Sequence, residues 1–498
     1  MTPALRRGHR RSGPLAAPSP PMPLPVRAPS RSGPSRGPVG GARRVSAGAW
    51  VSLAAVAVPV VLGAVLPQLT SAFAFRDLAL LLFAAVLAAV AWLHPSASIV
   101  TTVGAFVFSA LLRRVFPAAD PSADMAAIFP FIVAIPLAVH GLRCSKPGAV
   151  TLLLIWTTFG AALAVGTPLV ALAGWLNFAV PLLAAFGVRR IPSGLSVFAR
   201  ATVICGSIAA TYGIIQYFVP FSWDVAWLAR SGLRSAGTFG EANFRPFGTL
   251  PAPQTAATFS AVVILLMVFQ RQLVQPSALL RGWALSSSAV FLLLTLARSV
   301  WAGLAAALVV GVLATRGRPA RQLLPFVAVV MGFVLFAPQG DIVVERAQTF
   351  TNLEEDRSYN ARLDLVERTA ALASPVGIGL GKLSSGSRAA SDASLDNGYL
   401  VVLGELGLVG LVLLGWALLW LTRHSRPPEY GFLSLLLITA AGSFVFGNLP
   451  GLLLWTLAGA GRGSDQLASP NPGAGGGSRQ PVSRRAQART LSSTTTCW

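Results

Sequence analysis

The chain has 498 residues, of which 54% are hydrophobic and only 11% are charged, whereas soluble domains carry about 25% charged residues. This composition excludes an ordinary soluble globular protein and predicts an all-α, multi-pass membrane protein, because helices satisfy their own backbone hydrogen bonds in lipid. The net charge of +22 does not indicate nucleic-acid binding, since nine arginines and no acid are concentrated in residues 1–44.

Both ends of the chain are poor in apolar residues. Residues 1–47, rich in Arg, Pro, Gly and Ser, predict a disordered basic tail in the cytoplasm, and residues 461–498 predict a second disordered tail. Residues 48–460 form the predicted membrane domain. The chain contains four histidines and three cysteines. None of them lies at metal-ligand spacing, so we expect no metal site.

Apolar runs long enough, or nearly so, to cross about 30 Å of hydrocarbon recur along the membrane domain. The predicted spans are residues 50–66, 78–93, 98–112, 125–142, 150–165, 169–188, 201–219, 255–269, 283–296, 300–314, 323–336 and 400–421. A last apolar stretch, 432–457, is interrupted by Gly-Asn-Leu-Pro-Gly at 447–451. It predicts either one kinked span or a re-entrant hairpin, which gives 12 to 14 spans in all.

Orientation follows from the arginines in the short loops, which favour the cytoplasm. This rule places residues 220–253 and 338–398 outside, although Arg113 and Arg114 then lie on the wrong side. The loops predicted to be cytoplasmic carry Arg143 with Lys146, Arg189 with Arg190, Arg271 with Arg281, Arg316 with Arg318 and Arg321, and Arg423 with Arg426.

Nine of the 17 acidic residues lie in the external loop, residues 338–398. A long polar insertion between apolar spans predicts an active-site element rather than a connector. A short surface helix is predicted at residues 360–373, where it presents Arg362. The loop ends at Asp396, a candidate general base whose alternative role is to cap the next helix.

Two further positions outside the loop carry candidate residues. Arg234, Glu241 and Arg245 lie in an external segment, and Arg298 lies at a short external hinge between two spans. Arginine binds phosphate in bidentate fashion, so several arginines around one cavity would suit a diphosphate. The alternative for Arg298 is simple snorkelling to the membrane surface.

Three residues after Asp396 complete the candidate set. Asn397 and Tyr399 flank Gly398 at the loop exit, and Glu405 follows about two turns into the next span. An ionisable residue inside a span is a functional candidate by default, but Glu405 could equally fix helix packing. The glycine run at 375–381 has no preceding strand, so we interpret it as a turn and not as a nucleotide loop.

The order of these motifs over residues 200–460 resembles the O-antigen ligase and Wzy-type polymerase family of bacterial membrane glycosyltransferases. The resemblance implies an undecaprenyl-diphosphate-linked donor, an acceptor hydroxyl, membrane lipids as partners, no nucleic acid, and neither metal nor nucleotide sugar. It implies a multi-pass protein of the bacterial inner membrane with its site facing the periplasm, acting in surface or exopolysaccharide assembly. Catalytic roles fall on Arg298, Arg362 and Asp396, and substrate binding on Arg234, Arg245, Glu241, Asn397, Tyr399 and Glu405.

Alternatives remain open at this stage. Ligases of this family often have a histidine where this chain has Asp396, which favours a polymerase. A transporter or flippase of lipid-linked saccharides would favour broken helices and mid-membrane charges in both halves, whereas the first six spans carry almost no charge. A structural scaffold would leave Arg298 and Arg362 replaceable. The sugar, the linkage, the acceptor and the oligomeric state do not follow from the sequence.

Overall fold

The computed structural model describes residues 75–116, 125–144, 146–164, 168–231, 233–241, 243–317, 320–337, 339–348, 366–367, 374–383 and 397–458. All of them belong to one compact unit, Phe73–Trp498. Both predicted tails, the predicted span 50–66 and most of the external loop, including Arg362 and Asp396, fall outside the described residues. Of the surface helix predicted at 360–373, only Val366 and Glu367 are described, and both are helical.

The described residues contain helices and no strands, as the composition predicts. The α-helices are α1 (Phe75–Leu93), α2 (Pro95–Val115), α3 (Phe129–Leu142), α4 (Gly148–Leu163), α5 (Pro168–Arg190), α6 (Gly194–Phe218), α7 (Ser222–Ser231), α8 (Pro253–Phe269), α9 (Arg271–Val274), α10 (Ala278–Leu294), α11 (Arg298–Ala314), α12 (Ala320–Phe336), α13 (Gly340–Gln348), α14 (Gly398–His424), α15 (Glu429–Ala440) and α16 (Asn448–Leu457).

Each predicted span from 78–93 to 400–421 coincides with an observed helix, with ends that differ by up to seven residues. Four helical stretches are long and apolar enough to cross a membrane by length and composition: Pro95–Val115, Val170–Arg190, Gly194–Phe218 and Gly398–His424. Most of the others are shorter apolar helices. The protein is therefore a helical multi-pass membrane protein, whereas the number of 12 to 14 spans remains a prediction.

Helix α8 lies at the centre of the bundle. Every residue from Ala256 to Phe269 is buried, so the helix has no polar face. A helix that is apolar all round belongs in a core surrounded by other helices. Helices α6, α10, α11 and α15 pack around it.

Small residues allow helices to cross closely elsewhere in the bundle. A Cβ added to Gly187 of α5 would lie 2.0 Å from the Leu137 carbonyl oxygen of α3, and one added to Gly141 of α3 would lie 1.8 Å from the Leu183 oxygen. The backbones of α3 and α5 are therefore in contact at these glycines, as is typical of membrane helix pairs.

The last apolar stretch forms a hairpin and not one kinked span. Helices α15 and α16 are joined by residues 441–447, which we call the hairpin tip. Ala458, just beyond α16, accepts a hydrogen bond from Ser425 Oγ, four residues before α15 begins. The chain thus returns to the end from which it started.

Helix α14 is broken near its start. Gly407 has non-helical angles (φ 71°, ψ −173°), and residues 374–383, the return segment of the external loop, lie against the break. The backbone bonds run from Ile378 N to the Gly404 oxygen (2.9 Å), from Gly379 N to the Glu405 oxygen (3.1 Å) and from Leu408 N to the Ser374 oxygen (3.1 Å). Trp156 Nε1 of α4 donates to the Leu406 oxygen at 2.8 Å. Non-helical backbone inside a membrane protein requires partners of this kind.

Candidate active site

The predicted hinge at Arg298 is present as residues 294–298. Helix α10 ends at Leu294, Leu296 adopts a left-handed conformation (φ 53°), and α11 begins at Arg298. Such a conformation is strained for a leucine and is found most often where function constrains the backbone. Arg298 is half-buried in the first turn of α11, where the positive end of the helix dipole adds to its own charge.

Residues 234–245, the arginine segment, lie against this hinge. The Arg245 Nε donates to the Thr295 carbonyl oxygen at 2.7 Å, and its Nη1 donates to the Ser235 oxygen at 3.2 Å. Arg245 N also donates to the Ala236 oxygen at 2.8 Å, which closes the segment on itself. Arg245 is thus held against the hinge, at a residue three positions before Arg298.

The other two candidates of the arginine segment are placed differently. Glu241 is exposed at the surface of the segment. Arg234 begins a 3-10 helix, Arg234–Ala236, but its side chain lies outside the described part of the structure. Ala236, Phe244 and Phe247 are buried beneath the segment with Trp227 packed against them, which gives the segment a small core of its own.

The hairpin tip and the start of α14 complete this end of the bundle, which we call the hinge end. Gln254 Nε2 donates to Ser299 Oγ at 2.6 Å, beside the hinge. A Cβ added to Gly442 would lie 2.9 Å from Ser299 Oγ, and one added to Gly398 would lie 2.9 Å from the Ser443 carbonyl oxygen. Four separate parts of the sequence therefore meet here.

Asn397 and Tyr399 have structural partners at the loop exit. Asn397 Oδ1 accepts from Tyr399 N (3.0 Å) and Leu400 N (3.2 Å), so it caps α14. The sequence offered that role to Asp396 as the alternative to catalysis. The Tyr399 hydroxyl donates to the Leu437 oxygen at 2.9 Å, which joins α14 to the hairpin.

Glu405 is buried, with 3% of its surface exposed. Its Oε1 accepts from Leu383 N at 2.7 Å, at the end of the return segment. This contact supports the packing role considered for Glu405, since the carboxylate binds the protein's own backbone. Asp396 directly precedes the cap residue Asn397, and Arg362 lies earlier in the loop. The catalytic roles of Asp396 and Arg362 remain predictions.

One feature of the hinge end was not found from the sequence. Arg114 Nη1 of α2 lies 2.9 Å from Asp224 Oδ1 of α7, and both side chains are almost fully buried. Asp224 Oδ2 accepts from the Tyr212 hydroxyl and from Gln216 Nε2, each at 2.8 Å. The sequence did contain a hint of this pair. Arg114 lies on the predicted external side, against the rule that loop arginines favour the cytoplasm, and Asp224 neutralises its charge there.

The opposite end of the bundle is the basic end, where the loops with Arg189, Arg271 and Arg316 meet. Two cavities of about 280 and 570 Å³ lie at this end. The larger is lined by Phe269 at the end of α8, by Arg316 and by Pro428, next to three loops that the arginine rule assigns to the same side. Neither cavity includes a residue of the hinge or of the arginine segment, so both are separate from the candidate site.

Residues 283–415 match a family model, Wzy_C, described as O-antigen ligase. The match begins within α10, includes the hinge and the external loop, and ends within α14. It lies inside the predicted region 200–460 and confirms the resemblance over about a quarter of the chain. No curated protein and no solved structure matches the chain.

Proposed function

Since residues 283–415 carry an O-antigen ligase region, we propose that this protein transfers a saccharide from an undecaprenyl-diphosphate-linked donor to an acceptor hydroxyl. The reaction would take place at the hinge end, on the periplasmic face of the bacterial inner membrane, during the assembly of a surface polysaccharide. The observation that supports this best is the convergence of Arg245, the hinge with Arg298, and the loop exit at Asn397 in one place.

The proposed chemistry is a displacement at the anomeric carbon of the donor sugar. The acceptor oxygen forms the new bond, the bond from the anomeric carbon to the phosphate oxygen breaks, and its electron pair leaves with the lipid diphosphate. Arg298 and Arg362 stabilise the charge that develops on the diphosphate. Asp396 accepts the proton of the acceptor hydroxyl.

The roles of the other candidates follow from their contacts. Arg245, held by the Thr295 carbonyl, serves the donor side, and Arg234 is assigned the same role because it belongs to the same segment. Glu241, exposed on the arginine segment, is available to the acceptor or the sugar. Asn397 and Tyr399 act by fixing the loop exit, because their described bonds go to the protein backbone. Asp396, in the place where ligases often have a histidine, favours polymerisation over ligation.

The alternative is a transporter or flippase of the same lipid-linked saccharides. The break in α14 favours it, because transporters often bind substrate at discontinuous helices. However, the carbonyl oxygens of Gly404, Glu405 and Leu406 at the break already accept hydrogen bonds from the protein. The break is therefore occupied by the return segment together with Trp156 of α4, which supports the enzyme.

The proposed function is tested with Arg298→Ala, expected to reduce polymer by about 100-fold or more, the scale of losing one donor to a developing charge. Arg298→Lys should retain part of the activity, since it keeps the charge without the bidentate geometry. Arg362→Ala and Asp396→Asn should behave like Arg298→Ala. The measurement is glycan chain length together with lipid-linked donor in cells, at matched protein levels.

Arg271→Ala is the matched control, because Arg271 is an exposed arginine at the basic end. It should leave the polymer unchanged. Donor that accumulates on the outer leaflet supports transfer as the missing step, whereas donor confined to the inner leaflet supports the flippase. Normal polymer from both Arg298→Ala and Arg362→Ala would overturn the proposal.

A further inference from the structure

The Arg114–Asp224 pair is among the most deeply buried charges at the hinge end. Arg114 is 1% exposed and Asp224 is 0% exposed, and their side-chain atoms approach to 2.9 Å. The two residues come from α2 and α7, which are 110 positions apart in sequence. Neither side chain can reach a substrate from this position, so any role in the reaction must be exerted through other residues.

The pair acts directly on the backbone that follows the arginine segment. Arg114 Nη2 donates to the Gly248 carbonyl oxygen. Gln216, which donates to Asp224, uses its Oε1 to accept from Phe247 N at 3.1 Å and from Gly248 N at 3.0 Å. Both polar groups of Gly248 are therefore held by this network. Gly248 has φ 60°, and a Cβ there would lie 2.6 Å from the Ala209 oxygen.

The same network fixes the side chains around Gly248. The Arg114 guanidinium lies over the Phe247 ring, 4.7 Å from its centroid, a cation–π contact. The Trp227 ring packs beside them, with its centroid 5.3 Å from that of Phe247 and 5.9 Å from the guanidinium carbon of Arg114. Arg245 is two residues before Phe247, and its guanidinium bonds to Thr295 of the hinge.

Two anchors therefore hold the arginine segment. The Arg114–Asp224 network fixes its C-terminal continuation at 247–248, and Arg245 fixes it to the hinge. Burying two charges is expensive, and an apolar pair of similar volume is often as stable or more stable. A gain in folding stability is therefore a weak explanation for the presence of this buried ion pair.

We propose that Arg114 and Asp224 are positioning residues, which hold the arginine segment against the hinge so that Arg245 and Arg298 face the same substrate group. This inference rests on the proposed function, in which that group is the diphosphate of the donor. The Arg114–Asp224 network fixes the position of the arginine segment, and the segment in turn fixes the position of Arg245 against the hinge.

The test measures the position of the segment independently of glycan transfer. Cys144, Cys205 and Cys497 are replaced by Ala, and a reporter, Ala236→Cys, is introduced. Ala236 is 0% exposed and accepts the backbone bond from Arg245 N. Its labelling by a membrane-impermeant maleimide reports opening of the segment. Ser235→Cys, at an exposed neighbour, is the control reporter that should react in every background.

In the double variant Arg114→Met with Asp224→Leu, we expect the protein to fold, since no charge is left unpaired. Labelling of Ala236→Cys should rise by on the order of tenfold, which corresponds to about 1.4 kcal/mol of lost local protection. The same double variant without the Ala236→Cys reporter should produce less polymer by at least a similar factor. The Ser235→Cys rate should not change.

Gln216→Leu is a second, milder variant that introduces no charge imbalance at the guanidinium and removes the acceptor for Phe247 N and Gly248 N. Gln216→Leu should raise the labelling rate of Ala236→Cys by a smaller factor. If the double variant does not accumulate in cells, the labelling of Gln216→Leu alone tests the proposal. Arg114→Lys, which keeps the charge, should restore protection only in part.

The proposal is wrong if the double variant and Gln216→Leu both fold and the labelling rate of Ala236→Cys does not change in either. It is also wrong if labelling rises in these variants while the amount of polymer stays the same. The outcomes are separable from failure of the proposed function. If Arg298→Ala leaves the polymer normal, the diphosphate scheme is wrong, whereas the labelling still reports whether the pair holds the segment.

Discussion

At the scale of single residues, Glu405 shows how a buried carboxylate can serve the backbone. Its Oε1 accepts from Leu383 N, and its own carbonyl oxygen accepts from Gly379 N. Both bonds join the return segment to α14. The sequence alone gave packing and substrate binding equal weight, because a charge inside a span is consistent with either. The contact with Leu383 is long-range, so no spacing rule could have predicted it.

Glu405→Gln and Glu405→Leu separate the two roles. Gln can still accept from Leu383 N, so we expect little loss of thermal stability. Leu leaves that half-buried amide without its acceptor and should cost about 1 kcal/mol. Thermal unfolding of the purified protein in detergent measures the difference. If Gln abolishes polymer formation while stability is retained, the carboxylate has a charge-dependent role in substrate binding.

At the scale of helices, the apolar runs predicted the elements well because a buried span needs an unbroken apolar stretch. Helix α7 and the packing of the return segment were not predicted. Helix α7 is too short to stand out as a span, and the role of its Asp224 depends on Arg114 of α2, which is distant in sequence. The return segment packs through backbone groups, which carry no residue-specific signal. Its glycines, Gly377 and Gly379, mark the close approach only in retrospect.

The crossing of α3 and α5 gives a prediction at this scale. Gly187→Ala places a methyl group 2.0 Å from the Leu137 oxygen. The helices must separate, so we expect a loss of about 1–3 kcal/mol or more in stability. Gly104→Ala in α2 is the control, because nothing lies within 4 Å of its added Cβ. Midpoints of thermal aggregation, compared between the two variants, check this; equal midpoints would contradict the close crossing.

At the scale of the whole molecule, charge separates the two ends of the bundle. The hinge end gathers the arginine segment, the hinge and the loop exit, whereas the loops with Arg271, Arg316 and Arg423 gather at the basic end. The arginine rule predicted this division from sequence, and Asp224 accounts for the exception at Arg114. The candidate site could be predicted as a set of arginines, but not their arrangement, which depends on the Arg245 contact with Thr295.

A topology measurement tests this division in cells. Glu241→Cys, exposed at the hinge end, should react with an impermeant maleimide added outside intact spheroplasts. Arg271→Cys, exposed at the basic end, should react only after the membrane is opened, because the arginine rule places it in the cytoplasm. The opposite pattern would reverse the proposed orientation and place the site in the cytoplasm.

The backbone contacts that join residues 374–383 to α14 have a consequence for the chain on either side of them. Leu383 is held by Glu405, and Asn397 caps α14, so the external loop is anchored at two points. Asp396 directly precedes the second anchor, whereas Arg362 precedes both. An insertion between α13 and Arg362 would therefore change the length of chain that leads to Arg362 and leave the length between the two anchors, and so the chain that carries Asp396, unchanged.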